Sequence, residues 1–268
     1  MNPDLPIGIF DSGVGGLTVL KSLKEALPGE RFIYLGDTAR NPYGPKSAAT
    51  IVSYSRDCAR FLEKREVKLI VVACNTASSN AVGVLRDECS CPVIGMIDPV
   101  AEYAVKLSKR NCIGVIGTHA TVSSRSYVSA IHLHNSACQV LSRACPLFVP
   151  LVEEGIFEGP LVELAIDRYL SSMRGSGIDT LILGCTHYPL LKSALSMYLG
   201  DKIEIVSCGE AVTQVVKNLL RDSALLKQAP GEDLEDHFYV TDTSEQFERL
   251  AAPFLRNGSI HAIQVHSL

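Results

Sequence analysis

Along this chain, short apolar runs alternate with longer segments in which apolar residues return every three or four positions. PIGIF (6–10), RFIYLG (31–36), KLIVVA (68–73) and PVIGMI (92–97) are too short for helices and apolar at successive positions. That pattern predicts strands buried on both faces. Helical periodicity fills the gaps near 15–27, 47–66 and 76–88. A second series follows: a helix to about Arg110, a strand at 112–116, a helix near 121–133, and an irregular apolar passage, CPLFVPLVEEG. A helix from Gly159 places Leu161, Val162, Ala165, Ile166, Tyr169 and Met173 on one face. Next come a strand at 179–183, a helix at 189–199, a strand at 203–206 and a helix from about Glu210. The polar, acidic stretch 222–236 reads as a surface loop, before a strand at 237–241, a helix at 244–256 and a last strand at 260–265. Strands separated by helices predict an α/β fold with mainly parallel sheets.

At 268 residues the chain lies just past the length at which one core tends to split, so two domains are expected. With a net charge of −4 and scattered lysines and arginines, it offers no basic stripe for nucleic acid or an anionic membrane. No apolar stretch approaches the ~20 residues of a membrane span. MNPDLPIGIF lacks the basic lead and apolar centre of a signal peptide, so export is not expected. The nine cysteines are odd in number and several lie inside apolar runs, which predicts reduced thiols in the cytoplasm.

Two of those cysteines stand apart. The strand at 68–73 delivers ACNTAS and the strand at 179–183 delivers GCTHYP, so Cys74 and Cys185 each follow an apolar strand and open a helix. Ligands bind beyond the carboxyl ends of strands in open α/β sheets, so the two thiols are candidates to face each other across a cleft. A helix start is expected to lower each thiol's pKa from about 8.5 towards neutrality. His187 reads as a general acid, an orienting partner or a structural histidine. Zinc is disfavoured, because C-x-C and C-x-H spacings are too tight for its usual sites. DSGVGG (11–16) between strand and helix suits an anion, yet Asp11 would repel phosphate, leaving a nucleotide-binding enzyme as the alternative. Asp11 is better aimed at an ammonium or a catalytic proton.

IGIFDSGVGGLTVL (7–20), GDTARNPYG (36–44), ACNTAS (73–78), GVIGTHAT (114–121), FVPLVEEG (148–155), LGCTHYPLL (183–191) and FYVTD (238–242), in this order, resemble the cofactor-independent aspartate/glutamate racemases, and glutamate racemases in particular. The resemblance implies two similar doubly wound domains, 1–97 plus 208–268 and 98–207, related by a pseudo-twofold axis with the active site between them. It implies L- and D-glutamate as substrates, no cofactor, no metal, and a role in supplying D-glutamate for peptidoglycan. A racemase for another amino acid such as aspartate is the nearest alternative, and a homodimer stays open as the assembly. Cys74 would take the proton from D-glutamate and Cys185 from L-glutamate. Asp11 would assist Cys74, and His187, held by Glu153, would assist Cys185. Ser12, Asn75, Thr76, Thr118, Thr121, Thr186, Asp11 and His187, with the backbone of Pro42, Tyr43 and Gly44, match the family's substrate contacts. Ser207 and Cys208 depart from the family pattern, which puts a hydrogen bond there in question. The short N-terminus lacks an activator-binding segment of some relatives, so no nucleotide-sugar activation is expected.

Overall fold

The computed structural model describes residues 2–227, 235–251, 254, 260–266 and 268. Ten strands, in chain order, are β1 (Ile7–Asp11), β2 (Phe32–Gly36), β3 (Leu69–Val72), β4 (Val93–Gly95), β5 (Cys112–Gly117), β6 (Gln139–Ala144), β7 (Thr180–Gly184), β8 (Glu204–Val206), β9 (His237–Val240) and β10 (Ala262–Gln264). The helices are α1 (Leu17–Ala26), α2 (Ala48–Glu63), α3 (Asn75–Glu88), α4 (Ile97–Leu107), α5 (His119–Ser123), α6 (Ser126–His134), α7 (Phe148–Glu153), α8 (Pro160–Leu170), α9 (Lys192–Leu199), α10 (Cys208–Asp222) and α11 (Ser244–Ala251).

The strands form two sheets, ordered β10-β9-β2-β1-β3-β4 and β6-β5-β7-β8. Every pairing is parallel. Four strands of the first sheet, β2-β1-β3-β4, therefore have the same order as the whole of the second. The repeat makes β3 and β7 equivalent, and these are the strands that deliver Cys74 and Cys185.

Alternation along the strands sorts side chains onto two faces. Ile7 and Ile9 of β1 and Leu69 and Val71 of β3 join a core that continues through α1, α4 and α10 to β5 and β7. Phe10, Ile70 and Val72 point the other way, into a separate core beneath α2 and α3. The first core is continuous between the sheets because α4 and α10 pack between them. The buried face of α10 carries Ala211, Val212, Val216 and Leu220, at the spacing of successive turns.

Several sequence expectations change. β6 went unpredicted because it is an edge strand, with polar Gln139, Ser142 and Arg143 in place of an apolar run. The irregular passage contains a six-residue helix, α7. The single helix at 121–133 is two helices, because Arg125 between α5 and α6 adopts the left-handed conformation at φ 55°. On α8, Leu161 is exposed and Leu170 takes the buried place, because the buried stripe runs through Val162, Ala165 and Ile166. Part of the expected loop at 222–236, and the end of the helix expected at 244–256, lie outside the described residues.

At the amino-terminal edge of the first sheet, Lys68 and Glu30 form a fully buried ion pair 2.5 Å apart. The ammonium also donates to the carbonyls of Pro3 and Leu225, while Glu30 accepts from the Lys227 amide. The pair thus ties the chain start and the segment after α10 to one point, opposite the edge where Cys74 emerges. Removing one member leaves the other charged, buried and short of partners. Glu30→Ala is expected to cost about 3–5 kcal/mol of unfolding free energy in urea titration. A loss under about 1 kcal/mol would mean that water replaces the carboxylate at this site.

Candidate active site

Parallel strands end together, so each sheet presents one carboxyl edge, and the two edges meet around a cavity of about 350 Å³. That volume suits a small molecule rather than a dinucleotide. Cys74 and Cys185 both line it, with Ser12 after β1 and Thr118 after β5. Asn75, Thr76, Thr186, His187, Glu153 and the segment Pro42, Tyr43, Gly44 complete the predicted set on the wall. Asp11 and Thr121 lie deeper. Neither reaches the cavity surface, and each is buried behind residues that do.

Asp11 is fully buried at the end of β1 and accepts from the Gly13 amide at 2.9 Å and the Thr186 hydroxyl at 3.3 Å. Burial holds its carboxyl pKa above the ordinary value, although the nearby His187 and these bonds pull it down. Thr121 caps the wall from behind: its hydroxyl lies 3.0 Å from that of Thr118 and 3.3 Å from that of Thr76. Thr76 and Thr118 lie 2.8 Å apart, so a hydroxyl from α3 meets one from the second sheet across the cleft.

Cys74 caps the start of α3, and its thiol donates to the Ser12 hydroxyl at 3.7 Å. The Cys185 sulfur lies 3.9 Å from His187 Nδ1, and the other ring nitrogen, Nε2, is 3.2 Å from Glu153 Oε1. Asn41 Nδ2 donates to the same Glu153 oxygen at 3.2 Å. Burial alone would raise the Glu153 pKa, but the hydrogen bond and charge of His187 and the Asn41 amide bring it below the usual value.

The thiols behave against expectation. Burial first, then the Asp11 charge, pushes Cys74 up to about 11, although the Ala77 amide at the helix start and Ser12 oppose the rise. Cys185 is also raised well above the ordinary thiol range by burial, against the His187 amide. A helix start stabilises a thiolate through a few N–H dipoles, and in this closed cavity that gain is smaller than the hydration a thiolate loses.

Close approach across the cleft demands Gly15. A Cβ there would come within 2.3 Å of Thr186 Oγ1 and 2.6 Å of His187 Nδ1. The loop carrying Pro42 and Gly44 is pinned from two sides. Asp37 accepts from Tyr43 and from Arg40 Nε at 2.6 Å, and the Ala120 amide donates to the Gly44 carbonyl at 3.1 Å.

Sequence reasoning missed Asn41, His119, Pro146, Val149 and Pro150, all on the wall. Asn41 lies inside a quoted motif and lacked only a reason to be singled out, whereas His119 in GTHAT, with no partner visible in the sequence, reads as a surface or packing residue. The other three come from the passage read as irregular. Among the described residues, no lysine or arginine lines the cavity. Among the described residues no three His, Cys, Asp or Glu side chains converge in a way that could hold a metal ion.

Two parallel sheets each bring a strand-end thiol to the wall of one cavity. The chain belongs to the Asp/Glu/Hydantoin racemase family, whose model matches residues 7–216. Within it, the chain is 45% identical to the glutamate racemase of Geobacter metallireducens over 97% of both chains. Among solved structures it is similar to glutamate racemase from Francisella tularensis in complex with D-glutamate (39% identity, 98% of each chain, TM-score 0.91). It is likewise similar to the isoform RacE1 from Bacillus anthracis (36% identity, 98% of each chain, TM-score 0.93).

The raised Cys74 pKa has a direct consequence. In ligand-free protein, site-resolved alkylation of Cys74 by iodoacetamide is expected to climb steadily with pH from 8 to about 11. A plateau reached by pH 8, read by peptide mass mapping, would show that the helix start outweighs burial.

Proposed function

We propose that the protein interconverts L- and D-glutamate by a two-base reaction of Cys74 and Cys185, without a cofactor. The observation that carries this reading is the arrival of two strand-end thiols, one per sheet, at the wall of one cavity. A single base that removes and returns a proton on one face regenerates the starting enantiomer. Inversion at one bound carbon needs a donor opposite the acceptor.

Cys74 takes the α-proton from D-glutamate while the Cys185 thiol supplies one from the other face, and L-glutamate runs the roles in reverse. The α-proton beside a carboxylate is a far weaker acid than a thiol, so a strongly basic thiolate helps. The buried Asp11 charge raises the basicity of Cys74. His187, oriented by Glu153, exchanges a proton with Cys185 at Nδ1, and Asn41 holds Glu153 in turn.

The substrate's two carboxylates are read by neutral donors: Ser12, Asn75, Thr76, Thr118, Thr186 and the backbone amides of Tyr43 and Gly44, while Pro42, which has no N–H, shapes the wall beside them. These fixed dipoles stabilise the charge that develops at the α-carbon without a cation that would overstabilise the bound ground state. Asp11 and Thr121 act from behind the wall. The division into domains 1–97 with 208–268 and 98–207 fits this reading, since each would contribute one thiol. All nine cysteines are free, which suits work in the cytoplasm, and no described helix is long and apolar enough to cross a membrane. D-glutamate made there would serve peptidoglycan synthesis.

Purified protein mixed with L-glutamate should lose its optical rotation, and Cys74→Ala and Cys185→Ala should each slow this by at least about 10³-fold. Aspartate, one methylene shorter, is expected to react with kcat/KM lower by roughly 10–200-fold. Equal rates in either cysteine variant would sink the two-base reading, and faster turnover of aspartate would reassign the substrate.

A further inference from the structure

Asn75 carries more than its place beside Cys74. Its side chain is 1% exposed and reaches the cavity wall, yet three elements hold it from behind. The Tyr127 hydroxyl on α6 donates to Asn75 Oδ1 at 2.6 Å. The Cys208 sulfur, at the start of α10, lies 3.4 Å from Asn75 Nδ2 and 3.4 Å from the Leu183 carbonyl of β7. The sulfur also lies 3.5 Å from Asn75 Oδ1. Tyr127 and Cys208 are themselves buried, at 2% and 3% exposure.

The Tyr127 hydroxyl also lies 3.8 Å from the Cys208 sulfur, where either atom can donate, so the direction of this cluster is an assignment made from its donors and acceptors. The Leu183 carbonyl can only accept, and with the Cys208 S–H given to it, at the shorter of the sulfur's two donor contacts, the sulfur accepts from Asn75 Nδ2. A Tyr127 hydroxyl aimed at Oδ1 then makes that atom the amide oxygen. One Nδ2 proton is taken by sulfur, and the second has no protein partner among the described residues. With the oxygen turned away, an N–H is what the side chain has left to offer a ligand.

We propose that Tyr127 and Cys208 are positioning residues that hold the Asn75 amide with its nitrogen towards the cavity, so that it donates to a substrate carboxylate. The inference rests on the racemase reading above. It also gives Cys208, where the sequence departs from the family pattern, a role: its sulfur meets Asn75, Tyr127 and the Leu183 carbonyl. The cluster joins α3, α6, α10 and β7, and so ties the residue after Cys74 to a strand that ends one residue before Cys185.

Tyr127→Phe removes one oxygen and keeps the ring, and Cys208→Ala removes the sulfur, whereas Cys208→Ser can still accept and donate. In each of the first two variants the KM for glutamate should rise about tenfold while kcat stays within about threefold, since substrate and transition state lose the same contact. Cys208→Ser should stay within about threefold of wild type in both constants. The Asn75 side-chain amide of ¹⁵N-labelled full-length protein, assigned by its loss in Asn75→Asp, should give one sharp pair of proton signals. Tyr127→Phe should broaden or double that pair.

Unchanged KM in both deletions together with an unchanged amide pair would overturn the proposal, as would a fall in kcat with KM unmoved. Should wild-type protein leave glutamate untouched, the racemase reading fails and the amide signals alone decide the positioning role.

Discussion

Parallel strands deliver their last residues at one edge, and the whole molecule depends on turning two such edges towards each other. Within one sheet, strand-end groups lie side by side and reach the same face of a bound molecule. Two sheets joined through α4 and α10 can instead place one thiol on each side of a cavity. The repeated strand order gives β3 and β7 equivalent places, so the same local device, a strand followed by a cysteine and a helical turn, is used twice. Close approach then sets the remaining demands, including a bare backbone at Gly15 against Thr186 and His187.

The same closure that assembles the site makes its thiols reluctant acids. Burial dominates over the helix start at Cys74, and over the neighbouring backbone amide at Cys185. A reluctant thiol is a strong base once ionised, and the demand here is to remove a proton from carbon. Asp11 raises Cys74 further, and in the proposed reaction the His187 and Glu153 pair gives Cys185 a group with which to exchange its proton. The two halves are therefore alike in backbone and unlike in the groups that serve each sulfur.

Much of this was legible in the sequence because the central strands are buried on both faces and read as unbroken apolar runs. LIVV before Cys74 and TLILG before Cys185 announce both the strands and the thiols they deliver. β6 left no such trace, since an edge strand with one wet side tolerates Gln139 and Arg143. α7 was hidden by its brevity and by Pro150, and with it went two wall residues, Val149 and Pro150. The sign of the thiol shift was misread for a different reason: a helix start is visible locally, whereas burial is produced by segments distant in the sequence, such as Asp11 and Ser12 against Cys74. Tyr127 against Asn75 is the same kind of fact. Neither residue announces the other, and only the packing of α6 on α3 reveals the bond.

The central claim, that two monoprotic thiols act from opposite sides of one carbon, is tested most directly by isotope placement. L-glutamate is supplied to the wild-type protein in deuterated water, and both enantiomers are analysed at low conversion. The account predicts deuterium at the α-carbon of essentially all D-glutamate formed, while the remaining L-glutamate keeps its protium. Protium carried into the product, or deuterium entering recovered L-glutamate as fast as product forms, would show one base serving both faces and would contradict it.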